Sequence, residues 1–343
     1  NLSRMERGRQ GVSEAMLRKL CSALDCTPAF LYSQAEPSVA PAAQPTTPAP
    51  LGQPQEFVRW FHSAAPYIHA FGGRTFVIAF GGEVVEDGQF VSLSHDLNLL
   101  ASLEVRLVLV HGGSAEANAL GEAVGAPPKF ITSPSGYTSR YTDRKTLEIF
   151  LMAVNGKVNS LLTEQLQGLG LNAFGLCGMD GRLLVATRKD SIQSIENGKR
   201  KIIRDDYTGK IETVNAGLLE MLLAAGYLPV IAPVAVSQNG EALNVDADRA
   251  AAMVAGALKA ESLILLTAVP GLMEKFPDES TLIKHLPKEK IPAALEMAQG
   301  RMKKKVLGSE EALQAGVGRV IIADGRVEKP ISSALNGAGT VIQ

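Results

Sequence analysis

The sequence predicts an α/β fold, a three-layer α/β/α sandwich with a mainly parallel central sheet. From residue 56 onward, continuously apolar runs of strand length alternate with longer amphipathic segments. A strand without polar alternation is buried on both faces, which is typical of a parallel sheet covered by helices. Glycine pairs follow two of these runs. Because ligands bind at the carboxyl ends of strands in such sheets, we expect the functional site at that edge.

Six apolar runs carry the strand predictions, and two long segments carry the clearest helix predictions. The strands are TFVIAF, RLVLVHGG, NAFGLCG, LPVIAPV, SLILLTAV and RVIIADG. The helices are LEIFLMAVNGKVNSLLTEQL and VDADRAAAMVAGALKA, whose length and amphipathic pattern favour helix over strand. The alternation predicts one α/β unit over residues 56–343.

Two segments of different composition precede this unit. Residues 1–34 predict a small helical segment, in which Ser13 caps a helix. Residues 35–55 contain six prolines and few large apolar side chains, which predicts an extended Pro/Ala-rich linker.

The composition excludes several classes of protein. The net charge is −1, so no global charge indicates a nucleic acid or an anionic membrane as partner. No apolar run approaches the roughly 18–20 residues that span a bilayer. Three cysteines without a Cys-x-x-Cys pair argue against a disulfide framework or a zinc site. We expect a cytosolic protein without a membrane segment.

The two glycine pairs are the first candidate site. Gly81-Gly82 and Gly112-Gly113 each follow an apolar run, where backbone N–H groups can hold an anion such as a phosphate. Glycine after a strand is also common in plain turns, so either pair alone is weak support. Two in succession strengthen the interpretation.

Three further segments have both a structural and a functional interpretation. In NVDADRAA, Asp246 and Asp248 either cap a helix or orient a lysine or a substrate ammonium. In GRMKKKV, one of three consecutive lysines faces phosphate, or all lie on a solvated helix start. In TAVPGL, Thr267 to Leu272 forms a plain turn or receives the base or ribose of a nucleotide.

Eight separated motifs together resemble the amino acid kinase family: HGGS, SRYTDRKTLEIFLMAV, GLCGMDGRLLVA, DYTGKIETVNAGLLEMLLAAGYLPVIAP, NVDADRAAA, TAVPGLM, AQGRMKKKV and IIADGRVEKPI. The resemblance is greatest to the N-acetylglutamate kinase branch. Within that branch it is greatest to kinases acting on aminoadipate or glutamate held by a small acidic amino-group carrier protein. It implies ATP and Mg²⁺, an acyl phosphate product, and a homodimer or hexamer. It also implies an N-terminal helix at 56–72, an amino-acid-binding lobe at 73–233 and a nucleotide-binding lobe at 234–343.

The resemblance also implies roles for individual residues. The catalytic residues would be Lys305, which stabilises the leaving β-phosphate, Asp248, which organises the lysines, and Gly82. The nucleotide would contact Gly81, Thr267 and Gly271. The substrate would contact Gly112, Gly113, Arg140 and Asn244. No set of protein ligands for a metal is expected.

One position departs from the family pattern. The family's second lysine belongs at Ala79, and losing such a cation should slow phosphoryl transfer by about 10²–10³. The segment EFVRWFHSAAPYIHAFGGRTFVIAFGGEVV resembles the start of the N-acetylglutamate synthases, including an amphipathic helix with Phe57, Trp60, Phe61 and Ile68. An alternative is therefore an impaired, kinase-like regulatory domain. Arginine sensing is not expected, because Lys329 stands near the place of the histidine in the arginine pocket.

The leading prediction is an ATP-dependent kinase of an N-blocked acidic amino acid in arginine or lysine biosynthesis. Residues 1–34 resemble the second half of a helix-turn-helix domain, but without its first helices DNA binding is not expected. A run of basic residues fits an acidic carrier protein or a solvated hairpin: Arg182, Arg188, Lys189, Lys199, Arg200, Lys201 and Arg204.

Overall fold

The structure is a computed structural model that describes residues 69–82, 89–132, 138–196 and 199–343. The side chains of residues 89 and 195–200 lie outside this description. The chain divides into units 1–64 and 65–343, and every described residue belongs to the second. The predicted helical segment at 1–34, the linker at 35–55 and the apolar residues of the helix at 57–68 therefore lie outside the described residues.

Sixteen strands lie in the described part of the chain. In chain order they are β1 (Thr75–Phe80), β2 (Arg106–His111), β3 (Lys129–Thr132), β4 (Thr138–Tyr141), β5 (Ala173–Cys177), β6 (Leu184–Arg188), β7 (Ile192–Glu196), β8 (Lys199–Ile203), β9 (Gly209–Val214), β10 (Leu228–Ala232), β11 (Val234–Val236), β12 (Ala242–Asn244), β13 (Ser262–Thr267), β14 (His285–Leu286), β15 (Arg319–Asp324) and β16 (Thr340–Ile342).

Nine α-helices are described with the strands. They are α1 (Gln89–Ser102), α2 (Ser114–Ala123), α3 (Arg144–Leu151), α4 (Ser160–Gly168), α5 (Ala216–Ala224), α6 (Ala247–Ala257), α7 (Ile291–Met297), α8 (Gly300–Gln314) and α9 (Pro330–Leu335). Asp143, Asn215 and Asp246 cap α3, α5 and α6 by accepting a backbone N–H in the first turn.

An eight-stranded sheet forms the centre, in the order β14-β16-β15-β13-β1-β2-β10-β5. The strands from β15 to β5 pair in parallel, and β16 runs antiparallel to β15. All six apolar runs of the sequence are strands of this sheet, so the predicted fold class is confirmed.

Helices cover both faces of the sheet. The side chains of each strand point alternately to the two faces, and each face packs against its own apolar core. Val77 and Ala79 of β1 face a core that includes residues of α5, α6, α7 and α8. Phe76, Ile78 and Phe80 face the opposite core, which includes residues of α1, α4 and α9. Every residue of β1 is buried, which explains its unbroken apolar sequence.

The long helix predicted around residues 147–166 differs from the prediction at its centre. α3 and α4 are joined without a break by a π-helix, Met152–Asn159. The amphipathic pattern does not distinguish the wider winding of a π-helix from that of an α-helix.

Three smaller sheets lie outside the central sheet. β3 and β4 form a hairpin, β7 and β8 form another, and β12, β11, β6 and β9 form a four-stranded sheet. Within the described ranges, no helix has the length and apolar content needed to cross a bilayer.

Candidate active site

The two glycine turns touch at the carboxyl edge of the sheet. β1 and β2 pair in parallel with Phe80 opposite His111, so the turns that follow them are neighbours. The Gly112 N–H donates to the Phe80 carbonyl at 2.8 Å. A Cβ at Gly112 would come within 3.2 Å of Gly81 Cα. A side chain at Gly112 would therefore wedge the two turns apart.

A buried histidine, His111, contacts the backbone of the second glycine turn. His111 is fully buried, with Nδ1 2.7 Å from the Gly112 carbonyl oxygen and Nε2 3.0 Å from Asn159 Nδ2. Desolvation lowers the His111 pKa from 6.5 to about 4, so the imidazole is neutral at neutral pH. His111 was not among the residues predicted from the sequence.

Gly113 and Arg140 meet at the start of α2. Gly113 is the residue before this helix, and a Cβ there would lie 2.8 Å from Val154 Cγ2 of the π-helix. Arg140, on β4, donates from Nη2 to the Ser114 carbonyl at 3.1 Å, and its guanidinium lies 5.7 Å from the Phe130 ring centroid. Burial lowers the Arg140 pKa, but the group keeps its charge.

Asn244 joins the same region through Thr142. Its Nδ2 donates to Thr142 Oγ1 at 3.1 Å, and that hydroxyl donates to the Arg140 carbonyl at 3.3 Å. The buried Asp206 carboxylate accepts the Thr142 backbone N–H at 3.0 Å. Thr142 thus links the Asn244 side chain to the Arg140 backbone, and Asp206 holds Thr142; neither Thr142 nor Asp206 was predicted from the sequence. The substrate contacts of Arg140 and Asn244 remain predictions.

Lys305 and Asp248 form a partly buried ion pair. Lys305 Nζ donates to Asp248 Oδ1 at 2.7 Å, and the lysine side chain is 8% exposed. α6 precedes β13 and α8 precedes β15, both parallel strands, so the N-terminal ends of both helices lie over the carboxyl edge of the sheet. The pair therefore lies at the same edge as the glycine turns.

Two more ion pairs link these helices, and they distinguish the consecutive lysines. Lys304 Nζ lies 3.5 Å from Asp246 Oδ2, and Arg249 Nη2 lies 2.6 Å from Glu311 Oε1. The Lys304 side chain is 32% exposed, against 8% for Lys305. Lys305 is thus the more enclosed of these two cations.

Thr267 and Gly271 lie at the end of β13. The Thr267 carbonyl accepts the Gly325 N–H at 2.8 Å. At Gly271, whose φ is 157°, a Cβ would lie 2.7 Å from Thr340 Oγ1. Close packing against β16 therefore requires Gly271 whether or not a nucleotide binds there, and the predicted nucleotide contacts of both residues remain predictions.

Ala79 is buried in the core that α6 and α8 share with the sheet, with 1% of its surface exposed. It is the last but one residue of β1, opposite Val110 of β2 and Leu265 of β13. The position expected to hold a lysine is therefore filled by a methyl group one residue below Phe80 and the first glycine turn.

Two cavities lie beside the four-stranded sheet. One of about 470 Å³ is lined by residues that include Arg188 and Arg204, and one of about 300 Å³ by residues that include Lys210, Asp246 and Arg249. Within the described residues, no group of three His, Cys, Asp or Glu side chains is arranged to hold a metal ion.

The α/β sandwich with paired glycine turns and a buried lysine at one sheet edge defines a class of phosphate-handling proteins. The pattern of the "Amino acid kinase family" matches residues 74–324. This chain belongs to the amino acid kinase family.

Two curated relatives and one solved structure describe the similarity further. A "[LysW]-aminoadipate kinase" from Deinococcus radiodurans is 59% identical over 237 residues, which cover 69% of this chain and 81% of the relative. An "Acetylglutamate kinase" from Heliobacterium modesticaldum is 36% identical over 285 residues, or 81% and 95% of the two chains. The N-acetylglutamate synthase of Neisseria gonorrhoeae superposes with a TM-score of 0.69 at 30% identity. That match covers 83% of this chain and 63% of the synthase.

These findings confirm the family resemblance and the kinase interpretation. The protein is a phosphotransferase with a carboxyl acceptor, a kinase of arginine or lysine biosynthesis, and its family uses ATP. The synthase resemblance seen in the sequence is echoed by the solved structure. The alternative of a catalytically impaired regulatory domain receives no support from the relatives.

We expect the neutral state of His111 to make stability depend on pH. The folded pKa lies below the unfolded value of 6.5, so the unfolded chain binds the extra proton first as the pH falls. The free energy of unfolding should fall by about 1 kcal/mol between pH 7.5 and 5.5 through this group alone. Urea unfolding of the wild type and His111→Asn at both pH values measures the difference. Identical pH slopes for the two proteins would contradict it.

Proposed function

We propose that this protein transfers the γ-phosphoryl group of ATP to the side-chain carboxylate of aminoadipate or glutamate whose amino group is blocked by a carrier protein. A carboxylate oxygen bonds to the γ-phosphorus, the bond from that phosphorus to the β,γ-bridging oxygen breaks, and ADP leaves with the electron pair. The product is an acyl phosphate. The observation that carries the proposal is that the touching glycine turns share one sheet edge with the buried Lys305–Asp248 pair.

The glycine turns suit the transferred phosphoryl group. The two turns pack so closely that a Cβ at Gly112 would lie 3.2 Å from Gly81 Cα. Glycine backbone without side chains can bring peptide N–H groups close to phosphoryl oxygens. We assign the phosphoryl path to Gly81, Gly82, Gly112 and Gly113. Phosphoryl transfer needs mainly positioning and positive charge, which donors of this kind supply.

Arg140 and Asn244 form the acceptor side of the proposed site. Arg140 stands at the N-terminal end of α2 beside the second glycine turn, where its charge favours a carboxylate. Asn244 is tied to the same strand through Thr142 and supplies an amide for the substrate. Arg140 lies within the predicted amino-acid-binding lobe at 73–233, whereas Asn244 lies just beyond it, so the proposed acceptor site draws on both predicted lobes.

Lys305 would stabilise the charge that develops on the leaving β-phosphate. Asp248 and Asp246 each neutralise one lysine, so the two ion pairs add little net positive charge around a triphosphate. A Mg²⁺ ion held by the nucleotide would supply the remaining positive charge. Thr267 and Gly271 would contact the nucleotide within a lobe at 234–343.

The blocked amino group follows from the chemistry of the product. A free amine on the same molecule would attack the acyl phosphate and close a ring. Linkage to a carrier is favoured over acetylation, because the relative named for a carrier-bound substrate is 59% identical and the acetylglutamate kinase is 36% identical.

The reaction is tested by trapping the acyl phosphate with hydroxylamine. Wild-type protein with MgATP and carrier-bound aminoadipate should yield a hydroxamate. Lys305→Met should lower kcat by about 10²–10³, because it removes an enclosed cation. The matched variant Lys304→Met should stay within a few-fold of wild type, since Lys304 is more exposed. No hydroxamate from the wild type would refute the kinase reaction, and equal losses in the two variants would refute the role of Lys305.

The alanine at position 79, where the family pattern has a lysine, gives a second prediction. A lysine stem there can extend toward the sheet edge while its ammonium reaches the phosphoryl group. Ala79→Lys should raise hydroxamate turnover, by up to about 10²–10³ if the missing cation limits the rate. Ala79→Met adds similar bulk without charge and serves as the control, with melting temperatures measured for both. Equal losses in both variants would show that the buried position does not tolerate added bulk. Unchanged turnover in a stably folded Ala79→Lys would contradict the prediction.

The proposed carrier surface consists of the two adjacent hairpins β3–β4 and β7–β8. Strand β3 packs against β7, and the hairpins expose Phe130 and Ile202, each 56% exposed. Lys201 and Arg204 are exposed at β8 and just after it. The side chains of Lys199 and Arg200 lie outside the described residues. This mixture of apolar and basic groups suits an acidic protein partner.

Two residues of the predicted basic run have structural partners instead. Arg188 lies 3.8 Å from the Tyr207 ring centroid and donates from Nε to the Asp206 carbonyl at 2.9 Å. Arg182 lies in the turn before β6 and donates to the Ser237 carbonyl at 3.3 Å. The basic run is therefore not one continuous hairpin face.

Carrier binding should depend on salt through the hairpin surface. Its affinity should fall as salt rises, and the double variant Lys201→Glu with Arg204→Glu should lose both affinity and salt dependence. Lys288→Glu with Lys290→Glu, on an exposed turn outside both hairpins, is the matched control. Calorimetry with the acidic carrier at two salt concentrations measures both pairs. Salt-independent binding, or equal losses in both variants, would exclude this surface.

A further inference from the structure

The proposed reaction assigns no role to the His111 imidazole, although its contacts place it beside the second glycine turn. It stands at the last residue of β2, between the second glycine turn and the π-helix. Both ring nitrogens are engaged, Nδ1 with the Gly112 carbonyl and Nε2 with Asn159 Nδ2.

The hydrogen-bond network assigns the tautomer of this ring. The Val230 carbonyl of β10, which can only accept, lies 2.8 Å from Asn159 Nδ2 and so fixes the orientation of the amide. The same nitrogen faces His111 Nε2 at 3.0 Å, so Nε2 accepts. The single proton of the neutral ring is therefore on Nδ1, which donates to the Gly112 carbonyl.

Asn159 is itself fixed from two other sides. Its backbone carbonyl accepts from Thr163 Oγ1 at 2.8 Å. Its Oδ1 lies where Gly175 of β5 leaves room, since a Cβ there would come within 2.5 Å of that oxygen. The Asn159 backbone is thus held by its own helix, and its side-chain amide lies against β10 and β5 of the sheet.

The bond to Gly112 has a consequence for the next amide. In a trans peptide the carbonyl and the following N–H point in opposite directions. A Gly112 carbonyl turned to the buried imidazole therefore turns the Gly113 N–H away from it. The Gly112 N–H is already bound to Phe80, whereas no acceptor for the Gly113 N–H is found among the described residues.

We propose that His111 is a positioning residue, which aims the Gly113 N–H at the transferred phosphoryl group by holding the Gly112 carbonyl through its Nδ1–H. This inference rests on the proposed phosphoryl transfer. Asn159 and the Val230 carbonyl act in turn on His111, by keeping the proton on Nδ1. Without that proton on Nδ1, the ring nitrogen and the Gly112 carbonyl oxygen would repel each other and the peptide would be free to rotate.

The test compares two substitutions that differ in one donor. In His111→Asn the side-chain amide nitrogen occupies the place of Nδ1 and can still donate to Gly112. In His111→Leu no donor remains. Both leave Asn159 without its imidazole partner, and melting temperatures measured for both separate a loss of stability from a loss of kcat. We expect kcat of His111→Asn within about 3-fold of wild type, and that of His111→Leu about 10–100-fold lower with little change in KM for ATP.

Equal kcat values for the two variants would overturn the proposal, and so would an Nε2–H tautomer in the nitrogen NMR spectrum of the imidazole. A second readout does not need turnover. Titration with the magnesium complex of AMP-PNP, a slowly hydrolysed ATP analogue that keeps the γ-phosphoryl group, should shift the Gly113 amide resonance in wild type and His111→Asn, and should shift it less in His111→Leu. If the wild type makes no hydroxamate, the kinase reaction fails, while this titration still decides the role of His111.

Discussion

The parallel pairing of β1 with β2 is the constraint on which the candidate site depends. It sets Phe80 beside His111 and so brings both glycine turns into contact at one sheet edge. Parallel strands point all their carboxyl ends the same way, and the helices between them return their N-terminal ends to that edge. The Lys305–Asp248 pair and the start of α2 are therefore collected there by topology. No long loop is needed to assemble these groups.

The lysines at this sheet edge are paired with carboxylates, so little net positive charge collects there. An ammonium as enclosed as that of Lys305 is costly to desolvate unless an acid compensates it, and Asp248 does so at 2.7 Å. The same pairing keeps the lysine in one orientation. Such a site has fixed dipoles and fixed cations but a small net positive charge. That charge is smaller still because Ala79 stands where the family pattern has a lysine. Such a site depends more on the aim of its donors than on their number.

The strands of the central sheet could be predicted from the sequence because a strand that is buried on both faces has an unbroken run of apolar residues. The sequence also placed both glycine pairs after predicted strands, and the parallel pairing of those strands makes the two turns neighbours. The sequence did not predict the partners that lie far apart in the chain. Asn159 is 48 residues from His111 and Asp206 is 64 from Thr142, and no local pattern connects them. The motif DYTG was recognised, but its carboxylate was given no role, because only the folded chain shows which backbone N–H it accepts.

Because of the π-helix, the site depends on the exact number of residues between Val154 and Asn159. Val154 of this helix fills the space beside Gly113, and the last residue of the helix, Asn159, reaches His111 and Val230. Surface loops tolerate changes in length, but this segment is anchored at both points. Adding or removing one residue between them would turn Asn159 around the helix axis, by somewhat less than the roughly 100° per residue of an α-helix because a π-helix is wider. The amide would then leave the imidazole although every chemical group of the site was still present.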